Sequence, residues 1–214
     1  AAQLNFDMGR NAPVNLQASI DKVKAADVIV FAGGISPSLE GEEMPVNAEG
    51  FKGGDRTTIE LPAIQRRLIS ELKKLGKPII FVNYSGSAVG LEPESKICDA
   101  ILQAWYPGQA GGTAVADVLF GDYNPSGKLP VTFYKHTDQL PDFQDYSMKG
   151  RTYRYMAESP LYSFGHGLSY TNFTYGPATL SQQTISQGKE VILTIPVQNT
   201  GNYDGEEVVQ VYLS

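Results

Sequence analysis

Residues 39–56 read LEGEEMPVNAEGFKGGDR and place Glu40, Glu42, Glu43 and Glu49 within ten positions of a glycine-broken stretch. A carboxyl group works as a general acid only if it is still protonated near neutral pH. Partial burial or a neighbouring negative charge keeps it so, and crowded glutamates supply that repulsion for one another. The competing reading is a solvated acidic loop with no chemistry. Asp55 and Arg56 close the stretch and either pair with each other or anchor the loop.

Other candidates carry less. YSGSAVG (84–90) puts Ser85 and Ser87 in a turn after an apolar run, as a nucleophile elbow would. The G-x-S-x-G pattern is not met, and only His136 and His166 are available as a base, so a tight turn of small residues is the preferred reading. Trp105 and Tyr106 stand before PGQAGG; an aromatic there stacks on a sugar or packs beneath the turn. Gly33 and Gly34 do not make G-x-G-x-x-G, and no G-x-x-x-x-G-K-[ST] occurs, so no nucleotide cofactor is expected. Two isolated histidines and the single Cys98 exclude a disulfide within the chain and give no metal-ligand set; neither a cofactor nor a metal is expected.

The elements that position the glutamates read as follows. Residues 1–16 predict a short strand and a linker, and 17–25 a short helix. DVIVFAGG (27–34) is a continuous apolar run that predicts a strand buried on both faces. Pro62 opens a helix over 62–75 with Ile64, Leu68, Leu72 and Leu75 on one stripe, stopped by Gly76. KPIIFVNYSG (77–86) and CDAILQAWY (98–106) repeat the buried-strand pattern; QAGGTAVADVLFG predicts a helix, and GKLPVTF (127–133) a last strand. The fold class is therefore α/β: an open, mostly parallel sheet flanked by helices over residues 17–135. Ligands of such sheets bind beyond the carboxyl ends of strands, where the glutamate loop begins. Residues 136–176 read as a linker rich in Tyr, Gly, Ser and Pro. From 177 to 214 the pattern becomes part of an antiparallel β-sandwich, with Val191, Leu193, Ile195 and Val197 alternating over 190–198 and a strand over EEVVQVYL.

With 214 residues, 42% apolar, the chain can build a sizeable core, and the strands at its two ends read as parts of a longer protein. The net charge of −6, with no basic cluster, argues against nucleic-acid and anionic-membrane partners. No apolar run approaches the ~20 residues of a membrane span.

Three segments together resemble one family. AWYPGQAGGTAVADVLFGDYNPSGKLPVTF, EGEE…GGDRTTIELPAIQRRLI and YRYMAESPLYSFGHGLSYTNFTY resemble the C-terminal α/β domain of glycoside hydrolase family 3 and its passage into a fibronectin type III-like domain. GISPSLEGEE resembles the β-xylosidase and β-glucosidase branches, and AAQLNFDMG the last strand of a preceding or inserted β-domain. The resemblance implies a retaining exo-glycosidase, secreted or periplasmic, that removes β-linked sugars from oligosaccharides. Its nucleophile is an aspartate of an N-terminal barrel, the partner of this segment, so the segment alone is expected to be inactive. It further implies an acid/base in the loop. The family's G-E-G before D-R aligns with Gly41-Glu42-Glu43 and selects Glu42; a glutamate at the third position and the insertion before Asp55 leave Glu43, Glu40 and Glu49 as alternatives. Trp105 is the candidate substrate-binding aromatic. The competing class is a non-catalytic carbohydrate-binding or scaffolding module.

Overall fold

The computed structural model describes residues 16–40, 44–46 and 48–213. The strand expected at the amino terminus and two of the four loop glutamates, Glu42 and Glu43, lie outside these residues. The chain divides into two compact units: one runs up to Gly112 and includes Pro130–Phe164, the other takes Thr113–Leu129 and the chain from Gly165 on.

The first unit contains a parallel sheet of β1 (Ile29–Gly34), β4 (Ile79–Tyr84) and β5 (Ala100–Gln103), in the order β1-β4-β5. Ile29 lies against Ile79 and Ile80 against Ala100. Helices α1 (Leu16–Val23), α3 (Ala63–Lys73) and α4 (Glu92–Ile97) accompany it, with a four-residue α2 (Pro37–Glu40) after β1. A two-residue hairpin, β2 (Phe51–Lys52) with β3 (Asp55–Arg56), ends the glutamate loop. Ile20, Phe31, Leu39, Leu68, Ile69 and Phe81 belong to one apolar core. The Phe31 and Phe81 rings meet at 5.6 Å. Burial of side chains of this size is worth about 1.5–3 kcal/mol each.

The sheet corrects the reading of three uniformly buried strands. Only the central β4 is buried on both faces, with Phe81 and Val82 at 0% and 1% exposure. In β1 burial alternates: Ile29 and Phe31 are buried, while Val30 is 51% exposed. β5 is half-buried, and Ala100 is exposed. Both are edge strands of the described sheet, so each has a strand on one side only.

The helical stripe also shifts. Leu68 and Leu72 are buried as expected, but Gln65 and Ile69 complete the buried face, and Ile64 and Leu75 are only half-covered. Gln65 is drawn inward because its amide bonds both backbone groups of Gly34. The Gly34 N–H donates to Gln65 Oε1 at 2.8 Å and Gln65 Nε2 donates to the Gly34 carbonyl at 2.7 Å.

Helix α5 (Gly111–Phe120) forms where expected. The strand expected over 127–133 does not: Phe133 makes an isolated bridge to Tyr162, and Pro130 has no N–H to give a ladder. A short helix, α6 (Thr152–Tyr155), follows. The second unit carries antiparallel pairs, β6 (Phe173–Tyr175) with β9 (Val197–Asn199) and β7 (Thr179–Leu180) with β8 (Leu193–Thr194). The single strand read over 190–198 is thus two, split at Ile195–Pro196, where proline lacks a donor. Residues 206–213 join no ladder among the described residues.

Candidate active site

The glutamate loop leaves the carboxyl end of β1. Gly34 has φ +124°, and a Cβ there would lie 1.9 Å from the Tyr84 carbonyl oxygen, so only glycine passes this close to β4. The Ile35 N–H then donates to that same carbonyl at 2.7 Å. Ser36 opens α2: its hydroxyl accepts from the Leu39 N–H at 3.2 Å, and Pro37 fits the first helical position. This short turn delivers Glu40 to the mouth of the sheet.

Both Glu40 oxygens are engaged. Oε1 accepts from Ser87 Oγ at 3.1 Å, and Oε2 accepts from Tyr106 Oη at 2.6 Å. Tyr106 Oη also stands 2.9 Å from the Ile35 carbonyl. A phenol has one proton, and the shorter bond to an ionised carboxylate is the stronger claim on it. Burial, the bond to Glu40 and its negative charge together push the Tyr106 hydroxyl up to about 12, which keeps it a donor at neutral pH.

Arg56 reaches the same point from the far end of the loop. Its Nη1 donates to Ser87 Oγ at 3.0 Å and to the Ala88 carbonyl at 3.3 Å, and its Nε donates to the Thr58 carbonyl at 3.2 Å. Burial lowers the Arg56 pKa against the opposing charges of Glu40 and Glu60, though a guanidinium stays charged. Of the two roles read for Arg56, anchoring is the one formed, while Asp55 pairs with Lys52 in the hairpin ladder.

The turn that receives these groups is itself fixed from below. The fully buried Ser85 donates to the Ser87 carbonyl at 2.8 Å and accepts from Asn83 Nδ2 at 3.2 Å and Gln103 Nε2 at 3.1 Å. A hydroxyl so committed is a brace rather than a nucleophile. Asn83 Nδ2 also donates to Gln103 Oε1 at 2.6 Å, tying β4 to β5.

Glu49 is exposed and lines an open cavity of about 440 Å³ together with Phe51, Arg56, Glu60 and Arg66. Glu60, which the sequence did not single out, accepts from the Thr137 N–H at 2.8 Å and Thr137 Oγ1 at 2.6 Å. Burial raises its pKa, but those bonds and the Arg66 charge outweigh it and leave Glu60 below the usual range. Trp105, two residues past the end of β5, has φ +55°, and its half-buried ring meets Phe133 edge-on at 6.0 Å. Packing is thus part of what Trp105 does. Among the described residues no group of three His, Cys, Asp or Glu side chains could hold a metal ion. Tyr106 was legible only as an aromatic near a turn, and Ser87 only as a weak nucleophile; their bonds to Glu40 span 66 and 47 residues.

The chain is 58% identical over 212 residues to a xylan 1,4-β-xylosidase of Xylanibacter ruminicola, covering 99% of this chain and 24% of that protein. It is 41% identical to a periplasmic β-glucosidase of Salmonella typhimurium, covering 94% and 27%. The chain therefore spans about a quarter of the length of these relatives. Among solved structures, a β-glucosidase of Erythrobacter marinus superposes with a TM-score of 0.73 at 36% identity, covering 89% of this chain and 25% of that one. A Listeria innocua β-glucosidase in complex with gluconolactone gives 0.70 at 27%, covering 92% and 27%. The description "Glycosyl hydrolase family 3 C-terminal domain" matches residues 8–170, and the chain belongs to that family.

Proposed function

We propose that this chain is the C-terminal part of a retaining, exo-acting β-glycosidase and carries its acid/base loop. A terminal β-linked xylose or glucose is its substrate, and the nucleophilic aspartate comes from the family's N-terminal barrel. The observation that supports this most is the placement of the glutamate loop, which starts at the carboxyl end of β1 and is tied down at Glu40 by Ser87 and Tyr106. The names of the relatives, β-xylosidases and β-glucosidases, support the reaction class.

In such a reaction one carboxylate attacks the anomeric carbon while the other protonates the leaving oxygen; the second then takes a proton from the water that releases the sugar. Glu42 is assigned the second role, with Glu43 as the alternative. Glu40 is a poor donor, because both its oxygens already accept hydrogen bonds. Glu49 is separated from it by nine positions of loop. Trp105 is proposed to touch the sugar with the part of its ring that Phe133 leaves free. The antiparallel pairs of the second unit are read as the beginning of a fibronectin type III-like domain over 177–214, following the α/β domain of 17–135, with β6 (Phe173–Tyr175) contributed by the end of the 136–176 linker. The protein is proposed to act outside the cytoplasm, supported by the periplasmic relative. No helix of the described residues is long and apolar enough to cross a membrane.

The test is Glu42→Ala in the full-length protein, assayed on xylobiose and on dinitrophenyl β-xyloside, with and without azide. Collapse on xylobiose, continued formation of the glycosyl-enzyme from the dinitrophenyl substrate and azide rescue of its turnover are expected. Normal turnover of both substrates refutes Glu42. The isolated chain, lacking the nucleophile, should turn over neither.

A further inference from the structure

The two ends of the glutamate loop meet at one hydroxyl. Ser87 Oγ donates to Glu40 Oε1 at 3.1 Å and accepts from Arg56 Nη1 at 3.0 Å. The side chains of residues 40 and 56 are thus held at one point, a neck centred on Ser87. The neck is built rather than incidental. Tyr106 holds the second oxygen of Glu40, and the buried Ser85, itself held by the buried Asn83 and the half-buried Gln103, braces the backbone of Ser87 from the sheet. A Cβ on Gly86 would lie 2.5 Å from the Tyr106 ring and 3.1 Å from Glu40 Oε2, so the turn leaves no spare room around the contact.

We propose that Glu40 is a positioning residue for the acid/base: the Glu40–Ser87–Arg56 neck sets where Glu42 can stand. The proposal rests on the reading of Glu42 given above. The reason is chain geometry. Each residue extends the chain by at most about 3.6 Å, and Glu42 follows Glu40 by only two positions, so an anchor at Glu40 is a short tether for it. Releasing Glu40 frees that tether, and proton transfer is steeply sensitive to misplacement by as little as about 1 Å.

The experiment uses the full-length protein with Glu40→Ala, Glu40→Gln and Ser87→Ala beside Glu42→Ala. Xylobiose needs a placed proton donor; dinitrophenyl β-xyloside does not. For Glu40→Ala the xylobiose kcat should fall about 100-fold. The dinitrophenol burst should keep its full amplitude, and azide should not restore turnover, because the chain still carries the Glu42 carboxylate, which competes with the anion. Ser87→Ala should fall in the same direction by less, and Glu40→Gln, which keeps an acceptor oxygen, should recover part of the loss. A purely structural defect would instead lower the burst amplitude and both substrates in proportion, and that result overturns the proposal. Unchanged xylobiose turnover in Glu40→Ala also overturns it. Azide rescue of Glu40→Ala overturns it by making Glu40 the proton donor. Failure of the underlying reading is seen separately, as normal turnover by Glu42→Ala.

Discussion

Gln65 and Gly34 form a two-bond clamp between α3 and the end of β1, an amide matched to a backbone N–H at 2.8 Å and a carbonyl at 2.7 Å. This fixes the exit direction of the glutamate loop. Gln65→Leu keeps the size of the side chain but leaves both Gly34 groups unpaired, at about 1–3 kcal/mol each. Chemical denaturation should show that loss. Gly34→Ala should be worse still, since φ is +124° and the added Cβ meets the Tyr84 backbone.

Arg66, half-buried, and Glu94, fully buried, make an ion pair in the first unit. Arg66 Nε lies 3.0 Å from Glu94 Oε1 without aiming its N–H at it, and Arg66 Nη2 donates to the Gly90 carbonyl at 2.5 Å. Burial raises the Glu94 pKa above its ordinary 4.5 despite the Arg66 charge. The folded state therefore binds the proton more tightly than the unfolded one, and stability falls as pH rises above 4.5 through the folded value. Glu94→Gln should flatten that slope. Arg66→Met should leave the carboxylate, 1% exposed, without its countercharge and cost about 3–5 kcal/mol. Urea titrations over a series of pH values separate the two.

Tyr106 should ionise late for a tyrosine. Its hydroxyl is pushed up to about 12 from an ordinary 10 by burial and by Glu40. The protonated form is favoured in the fold, so its contribution is complete below pH 10 and is lost as pH climbs towards 12. Burial raises the Tyr162 and Tyr175 hydroxyls as well, so an ultraviolet titration of the phenolate band should show a late component that shrinks in Tyr106→Phe. An unchanged curve in Tyr106→Phe would disprove the assignment.

Gly86→Val tests the neck without deleting any of its groups. The new side chain starts 2.5 Å from the Tyr106 ring and must push it aside. The Tyr106 ring is partly exposed and can move, so the stability loss should stay near 1–3 kcal/mol, the usual cost of overpacking, at about the lower end. The contribution of Tyr106 to the late part of the tyrosine titration should move to lower pH. In the full-length protein, turnover of substrates with poor leaving groups should fall more than that of dinitrophenyl substrates.

Local pattern alone determined much of this protein. The apolar run ending in Gly33-Gly34 specified β1, PIIFVNY specified β4, and Pro62 with the leucines at 68 and 72 specified α3, because helix and strand periodicities are written in neighbouring residues. The long stretches around AWYPGQAGG and GGDR specified the family. Burial on the two faces of β1 was not legible, since an edge strand and a central strand share the same β-rich composition and differ only in what lies beside them. The same holds for the roles of the glutamates. Four identical side chains in one loop cannot be ranked by type, and what separates Glu40 is contact with Ser87 and Tyr106, 47 and 66 residues away. Those contacts arise only when parallel strands bring their carboxyl ends together. The sequence by itself decided that a carboxylate loop would stand at the mouth of an α/β sheet; only the tertiary structure decided that Glu40 is tied into its neck.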